Sequence, residues 1–210
     1  AIFMAAHWLL YFYALKLSNV AIGMLSLFTY PAIITLLEPL FIKTKFNPIH
    51  LILGLLVVLG IYILAPELNL ESNETKGILF GVLSAICYSL RILILKQQIA
   101  NYNASMLMFH QTLIITIILI PVLFYGDVSN LQSQFPYLIL VALVTTAIGH
   151  TLLVNTLHYF SASTASIISS VQPIFGIFIA YIVADEIPTT NTYIGGSLIL
   201  VTVVIESIRS

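Results

Sequence analysis

HWLLYFYALKLSNVAIGMLSLFTYPAII (residues 7–34) and HTLLVNTLHYFSASTASIISSVQPIFG (residues 150–176) are two versions of one pattern. His7-x-Leu9-Leu10 matches His150-x-Leu152-Leu153, and Pro31 matches Pro173 once one residue of gap is allowed between the landmarks. Beyond the prolines the register is constant, since Gly54 lies 23 residues past Pro31 and Gly196 lies 23 past Pro173. A repeated, proline-interrupted apolar unit is therefore the reading from which the rest follows.

Composition places that unit in lipid. Hydrophobic residues make up 60% of the 210-residue chain and charged residues only 7%. Soluble domains carry roughly a quarter charged residues, so a water-facing surface cannot be built here. A spanning helix needs about 20 mostly apolar residues. Eight segments qualify, near 1–17, 19–42, 48–65, 77–96, 103–125, 136–158, 162–184 and 190–208. Helices are expected because each satisfies its own backbone polar groups where water is absent. The opening AIFMAAHWLL lacks the charged start and polar cleavage site of a signal peptide, and it reads as the cut end of a membrane helix. A net charge of −1 offers no field to nucleic acid, which is not an expected partner. Cys87, the single cysteine, reads as a small buried hydrophobe.

Charge sets the orientation. Lys43, Lys45, Arg91, Lys96 and Arg209 lie at one set of helix ends, and only Lys16 and Lys76 lie at the other. The acidic linker 66–76, Asp127 and the Asp185–Glu186 pair share the second side. Basic loops stay in the cytoplasm, so loops 43–47 and 97–102 and the C-terminus are expected there. The corresponding loops of the two repeats, 43–45 and 185–187, then fall on opposite sides. A repeat with an odd number of spans inverts on duplication, and inverted repeats are a recurring feature of secondary transporters. The second repeat holds five helices from about Gly77 onward. The first shows the last three of its five, over 1–65, with 66–76 as the extracytoplasmic linker.

The residues themselves resemble a known family. TYPAIITLLEPLFIKTKF (29–46), SSVQPIFGIFIAYIVADEIP (169–188) and GILFGVLSAICYSLRILILK (77–96) are similar to the fourth, ninth and sixth helices of the EamA-like drug/metabolite transporters. The likeness covers essentially the whole chain. It implies an all-α polytopic membrane protein of the bacterial plasma (inner) membrane, an inverted-repeat bundle with eight of ten helices present. It also implies a central cavity, here walled by the helices at 1–17, 19–42, 77–96, 136–158 and 162–184. In the family pattern a glutamate follows the proline by thirteen residues. Glu186 fits after Pro173, whereas Thr44 stands at the matching place in the first repeat.

Polar residues at membrane depth are the functional candidates, because an ionisable group at a helix centre costs about 2.5–3.5 kcal/mol on insertion scales. Glu38 either carries a coupling proton or snorkels to Lys43 or Lys45. Ser84, Tyr88 and Arg91 share a helix face, as do Thr151, Asn155 and His158. Ser166, Ser169 and Ser170 form a third strip before Gln172 and Pro173. Each strip either lines an aqueous cavity or cements helix packing. Arg91 is either an end anchor or an anion-binding group. His7 and His150 are repeat-equivalent, and Tyr11 and Tyr30 join them as cavity candidates. Pro31 and Pro173 remove backbone hydrogen bonds and are candidate hinges. Glycines 54, 60, 195 and 196 serve either internal packing or contact with a second copy, which would make a homodimer. No cluster has metal-ligand spacing, no cofactor is expected, and no nucleophile–base pair suggests an enzyme. The expected function is a secondary transporter moving a small metabolite, such as an amino acid, or a drug-like compound, by alternating access. A scaffold or channel is the alternative.

Overall fold

The computed structural model describes residues 1–42, 49–64, 69, 71–125, 131–169 and 172–209. Helices α1 (Ile2–Leu17), α2 (Val20–Leu27), α3 (Tyr30–Ile42) and α4 (Ile49–Leu64) form the first part of the chain. Helices α5 (Asn73–Gln98), α6 (Ala104–Leu119), α7 (Val122–Tyr125) and α8 (Leu131–Leu140) follow. A π-helical stretch, Val141–His150, then runs into α9 (Thr151–Tyr159). The chain ends with α10 (Ala162–Ser169), α11 (Gln172–Val183) and α12 (Thr190–Arg209). Among the described residues every regular element is a helix. Val20–Ile42, Asn73–Gln98, Gln132–Tyr159 and Thr190–Arg209 are each long and apolar enough to cross a membrane, and α1 and α6 are shorter apolar helices. The chain is an all-α polytopic membrane protein. Loop 43–47, Asp127, Ser170 and residues 66–68 and 70 of the linker lie outside the described residues.

The span over 20–42 is broken midway: α2 ends at Leu27 and α3 restarts at Tyr30, one residue before Pro31. Pro31 thus occupies the first turn of the new helix, where its missing N–H is harmless, and does not kink the middle of a continuous one. Pro173 stands one residue after the described start of α11 at Gln172, and residues 170–171 lie outside the described residues. Pro39 is the proline inside α3.

Packing crosses between the two parts of the chain: α3 lies on α10, and α2 lies on α11. The spans that follow them, α4 and α12, also pack together. This pairing of like with like is what a two-fold axis in the membrane plane produces. Helix α5 runs along α1, α2 and α3 and ties the set together. Small residues permit the close approaches. A Cβ at Gly60 would lie 2.7 Å from Ile199 Cγ1 and 3.0 Å from the Gly195 carbonyl, and one at Gly196 would lie 2.8 Å from Leu25 Cδ1. These glycines are occupied by internal packing. Large apolar side chains such as Leu55, Leu59, Phe109, Ile117, Phe178 and Ile182 are exposed instead and form the lipid-facing surface.

Replacing Gly60 with leucine forces α4 away from α12. Overpacking typically costs about 1–3 kcal/mol, so the thermal midpoint of detergent-solubilised protein should fall by several degrees. An unchanged midpoint would show that the α4–α12 contact is not as tight as described.

Candidate functional site

A chamber of about 760 Å³ opens between the helices. Its walls come from α1, the α2–α3 break, α5, the π-helical stretch, Ser169 of α10 and Gln172 of α11. Repeat-equivalent residues meet there. Leu27 and Ser169 each stand four residues before their prolines and both line it, as do Tyr30 and Gln172 one residue before. His7 and His150 line it as well.

The rings form a connected wall. The His7 ring lies 4.5 Å from Tyr88 and stacks on Tyr11 at 6.0 Å, centroid to centroid. Tyr88 meets Tyr30 edge-on at 4.9 Å and His150 at 6.2 Å, and Trp8 approaches His150 at 6.4 Å. Behind this wall stands Ser84, which is fully buried. His7 Nδ1 donates to Ser84 Oγ (2.7 Å), and Ser84 Oγ donates to the His7 carbonyl (3.0 Å). Only this pairing satisfies both bonds, because a hydroxyl has one proton. It leaves His7 Nε2 as an acceptor.

Arg91 lies beneath the wall. It is 3% exposed, its Nε donates to Gln111 Oε1 at 2.9 Å, and its guanidinium carbon lies 5.4 Å from the Tyr88 ring centre. Arg91 Nη1 has no hydrogen-bond partner among the described residues. Arg91 is therefore a buried cation in the bundle and not an end anchor at the membrane surface.

Several candidates fall elsewhere. Asn155 is exposed on the outer face of α9 and does not line the chamber. It follows Leu153, which does line it, by two residues, and two steps of about 100° turn a helix nearly to its opposite side. Ser166 is buried, and its hydroxyl donates to the Ser163 carbonyl while its own carbonyl accepts the Tyr30 hydroxyl at 3.3 Å. It braces the chamber from behind. The lining residues missed by sequence reading are Trp8, Phe12, Phe28 and the π-helical Thr145 and Thr146. The two threonines interrupt an otherwise apolar run (VALVTTAIGH) and were the available signal.

Glu38 is expected either to carry a coupling proton or to snorkel to Lys43 or Lys45, and those two lysines lie outside the described residues. It turns inward to α10, accepting the N–H groups of Ala162 (3.0 Å) and Ser163 (3.3 Å) and the Ser163 hydroxyl. Glu186 does the same for α2: both its carboxylate oxygens accept the Val20 N–H, at 3.1 and 2.9 Å. Among the described residues, no group of three or more His, Cys, Asp or Glu is placed to hold a metal ion.

The profile of the EamA-like transporter family matches residues 1–65 and 75–208. The chain belongs to the EamA-like transporter family. Two relatives of this EamA-like chain are described as uncharacterized transporters. YxxF of Bacillus subtilis is 26% identical over 176 residues, covering 81% of this chain and 56% of the relative. The protein sll1164 of Synechocystis is 24% identical over 213 residues, covering 95% and 61%. The chain thus spans about three fifths of the length of these relatives. A solved crystal structure superposes over 99% of the chain and 76% of its own length with a TM-score of 0.68 at 15% identity, a likeness of fold.

A thiol reacts as its thiolate and therefore needs water. In a Cys87→Ser background, Thr145→Cys and Gln172→Cys should react with a water-soluble maleimide at least about tenfold faster than Asn155→Cys, which faces lipid. Equal rates at all three positions would remove the chamber as described.

Proposed function

We propose that this EamA-like chain forms the chamber of a secondary active transporter that carries a small metabolite across the membrane by alternating access. Family membership and the names of the relatives establish a membrane transporter and point away from an enzyme. The observation that carries the finer reading is the joint wall: His7 with His150, Leu27 with Ser169 and Tyr30 with Gln172 face one space from two inverted halves. A path shared symmetrically between halves is one that rocking of the halves can open to either side in turn. The basic helix ends support a cytoplasmic C-terminus, in a bacterial plasma membrane.

Chamber chemistry bounds the solute. Ligand pockets typically measure about 300–1,000 Å³, and 760 Å³ lies inside that range. The wall is mostly aromatic and aliphatic, with neutral hydrogen-bonding groups from Tyr11, Thr112, Thr145, His150 and Gln172. No carboxylate lines it among the described residues, while the Arg91 guanidinium lies behind the Tyr88 ring. Permanent cations are disfavoured. The solute is a compact molecule with an apolar or aromatic body and a neutral, zwitterionic or acidic polar end, an amino acid being one such.

The test is uptake or export in proteoliposomes holding the full-length protein, across a broad metabolite panel. Thr145→Trp or Gln172→Trp should cut the flux at least about tenfold, since about 1.4 kcal/mol of lost fit gives that factor. Asn155→Trp, on the outer face, should stay near the parent. A panel in which no solute moves, or chamber variants indistinguishable from the parent, would refute the reading.

A further inference from the structure

The starts of α2 and α10 are built alike, and each is finished by a carboxylate from the other part of the chain. Asn19 and Ser161 both stand 12 residues before their prolines. Asn19 Oδ1 accepts the Ile22 N–H at 2.8 Å, and Ser161 Oγ accepts the Thr164 N–H at 3.0 Å. These are the same cap at equivalent positions. The first N–H of each helix, Val20 and Ala162, is left over. Glu186, just past α11, takes the one on α2, and Glu38, within α3, takes the one on α10. The two carboxylates do not correspond in the repeat. Glu38 lies seven residues past Pro31, and Glu186 lies thirteen past Pro173.

Both contacts join α2–α3 to α10–α11, and they sit near opposite ends of that pair. Val20 and Glu38 are separated by about 27 Å at 1.5 Å per residue. The chamber lies between them, since Met24, Leu27, Phe28 and Tyr30 on one span and Ser169 and Gln172 on the other line it. We propose that Glu38 and Glu186 are the two end latches of the chamber, released in alternation. The proposal rests on the transport reading given above.

The physics is that of a two-state contact. A helix start presents unpaired N–H groups and a partial positive charge. Dry, a carboxylate on it makes charge-assisted hydrogen bonds that nothing else can replace. Once water enters that end, both partners are hydrated and the contact loses its advantage. The first span is already broken midway, at Phe28–Thr29, so its two parts can tilt about Pro31. Tilting that parts α10 from Glu38 presses α2 toward Glu186, and the reverse. Asp185 helps set the second latch. Its φ of 53° ends α11 and turns the chain back, and the Glu186 N–H donates to the Ala180 carbonyl at 3.3 Å.

The experiment reads sidedness without any solute. Full-length protein carrying Cys87→Ser and Thr145→Cys is placed in sealed vesicles and labelled from one face at a time with an impermeant maleimide. Glutamine keeps one acceptor oxygen but removes the charge and the second acceptor. Glu38→Gln should raise labelling from the face nearer Glu38 and lower it from the other, changing the ratio at least about threefold. Glu186→Gln should change it the opposite way, and the double variant should return it toward the parent. A shift in the same direction for both, or no shift in either, overturns the latches. Where a glutamine variant does not fold, Ser163→Ala and Glu186→Asp weaken the same two contacts and must give the same opposed shifts. Uptake by the parent without the side swap sinks the latches alone. The swap without uptake upholds them and sinks the transport reading.

Discussion

In lipid, a backbone N–H or C=O without a partner costs several kcal/mol, and this fold multiplies the places where that cost could arise. Each break in a span creates a helix end inside the bundle, and short connections bury others. Side chains meet the demand. At the first break the Thr29 hydroxyl donates to the Ser26 carbonyl at 2.8 Å and the Ser26 hydroxyl donates to the Ile22 carbonyl at 2.7 Å. The Ser89 hydroxyl reaches across from α5 to the Tyr30 carbonyl at 3.1 Å. At the end of α9, Lys96 donates to the carbonyls of Leu157 and Phe160, at 2.7 and 2.8 Å. A cation on a helix C-terminus is favourable. Gln97 closes α3 likewise through the Phe41 carbonyl at 2.8 Å. The polar residues of an apolar chain are spent largely on helix ends.

The chamber is walled largely by aromatic and aliphatic side chains, with hydroxyl, imidazole and amide groups set among them. His7 is held by Ser84, and Tyr88 is held between His7, Tyr30 and the Arg91 guanidinium. A wall of interlocked rings keeps its shape when the chamber empties, because each ring is braced by another and not by a solute. The π-helical stretch opposite turns more widely than an α-helix, and such stretches are frequent at functional sites. It brings Val141, Thr145, Thr146 and Gly149 onto the same wall.

The apolar helices were legible in the sequence because they depend on local pattern. Apolar runs of bilayer length survive without knowledge of contacts. Of the residues that line the chamber, His7 and His150 were marked by their matched positions, and Tyr88 and Ser169 by polar strips at helical spacing. Asn155 was misplaced because the i, i+4, i+7 rule identifies a face without saying which way it looks. The contacts of Glu38 were not legible, because its partners, Ala162 and Ser163, lie more than 120 positions away in the chain. The equivalence of Asn19 and Ser161 was present in the register, but two different side chains doing one job carry no visible likeness until their hydrogen bonds are seen.

The symmetry of the fold does not extend to its energetics, and this has a consequence. Glu38 is buried at 8% exposure and holds two backbone N–H groups and a hydroxyl. Glu186 is half-buried, and both its oxygens converge on the single Val20 N–H. Charge-assisted bonds strengthen as water is excluded. The end closed by Glu38 is therefore the harder to open, and the two states of an otherwise symmetric chamber differ in free energy. In a carrier built from inverted copies, equal halves would give equal preference for either face. Placing the two glutamates at unmatched positions is a way for one sequence to keep the symmetric frame and still set a resting side.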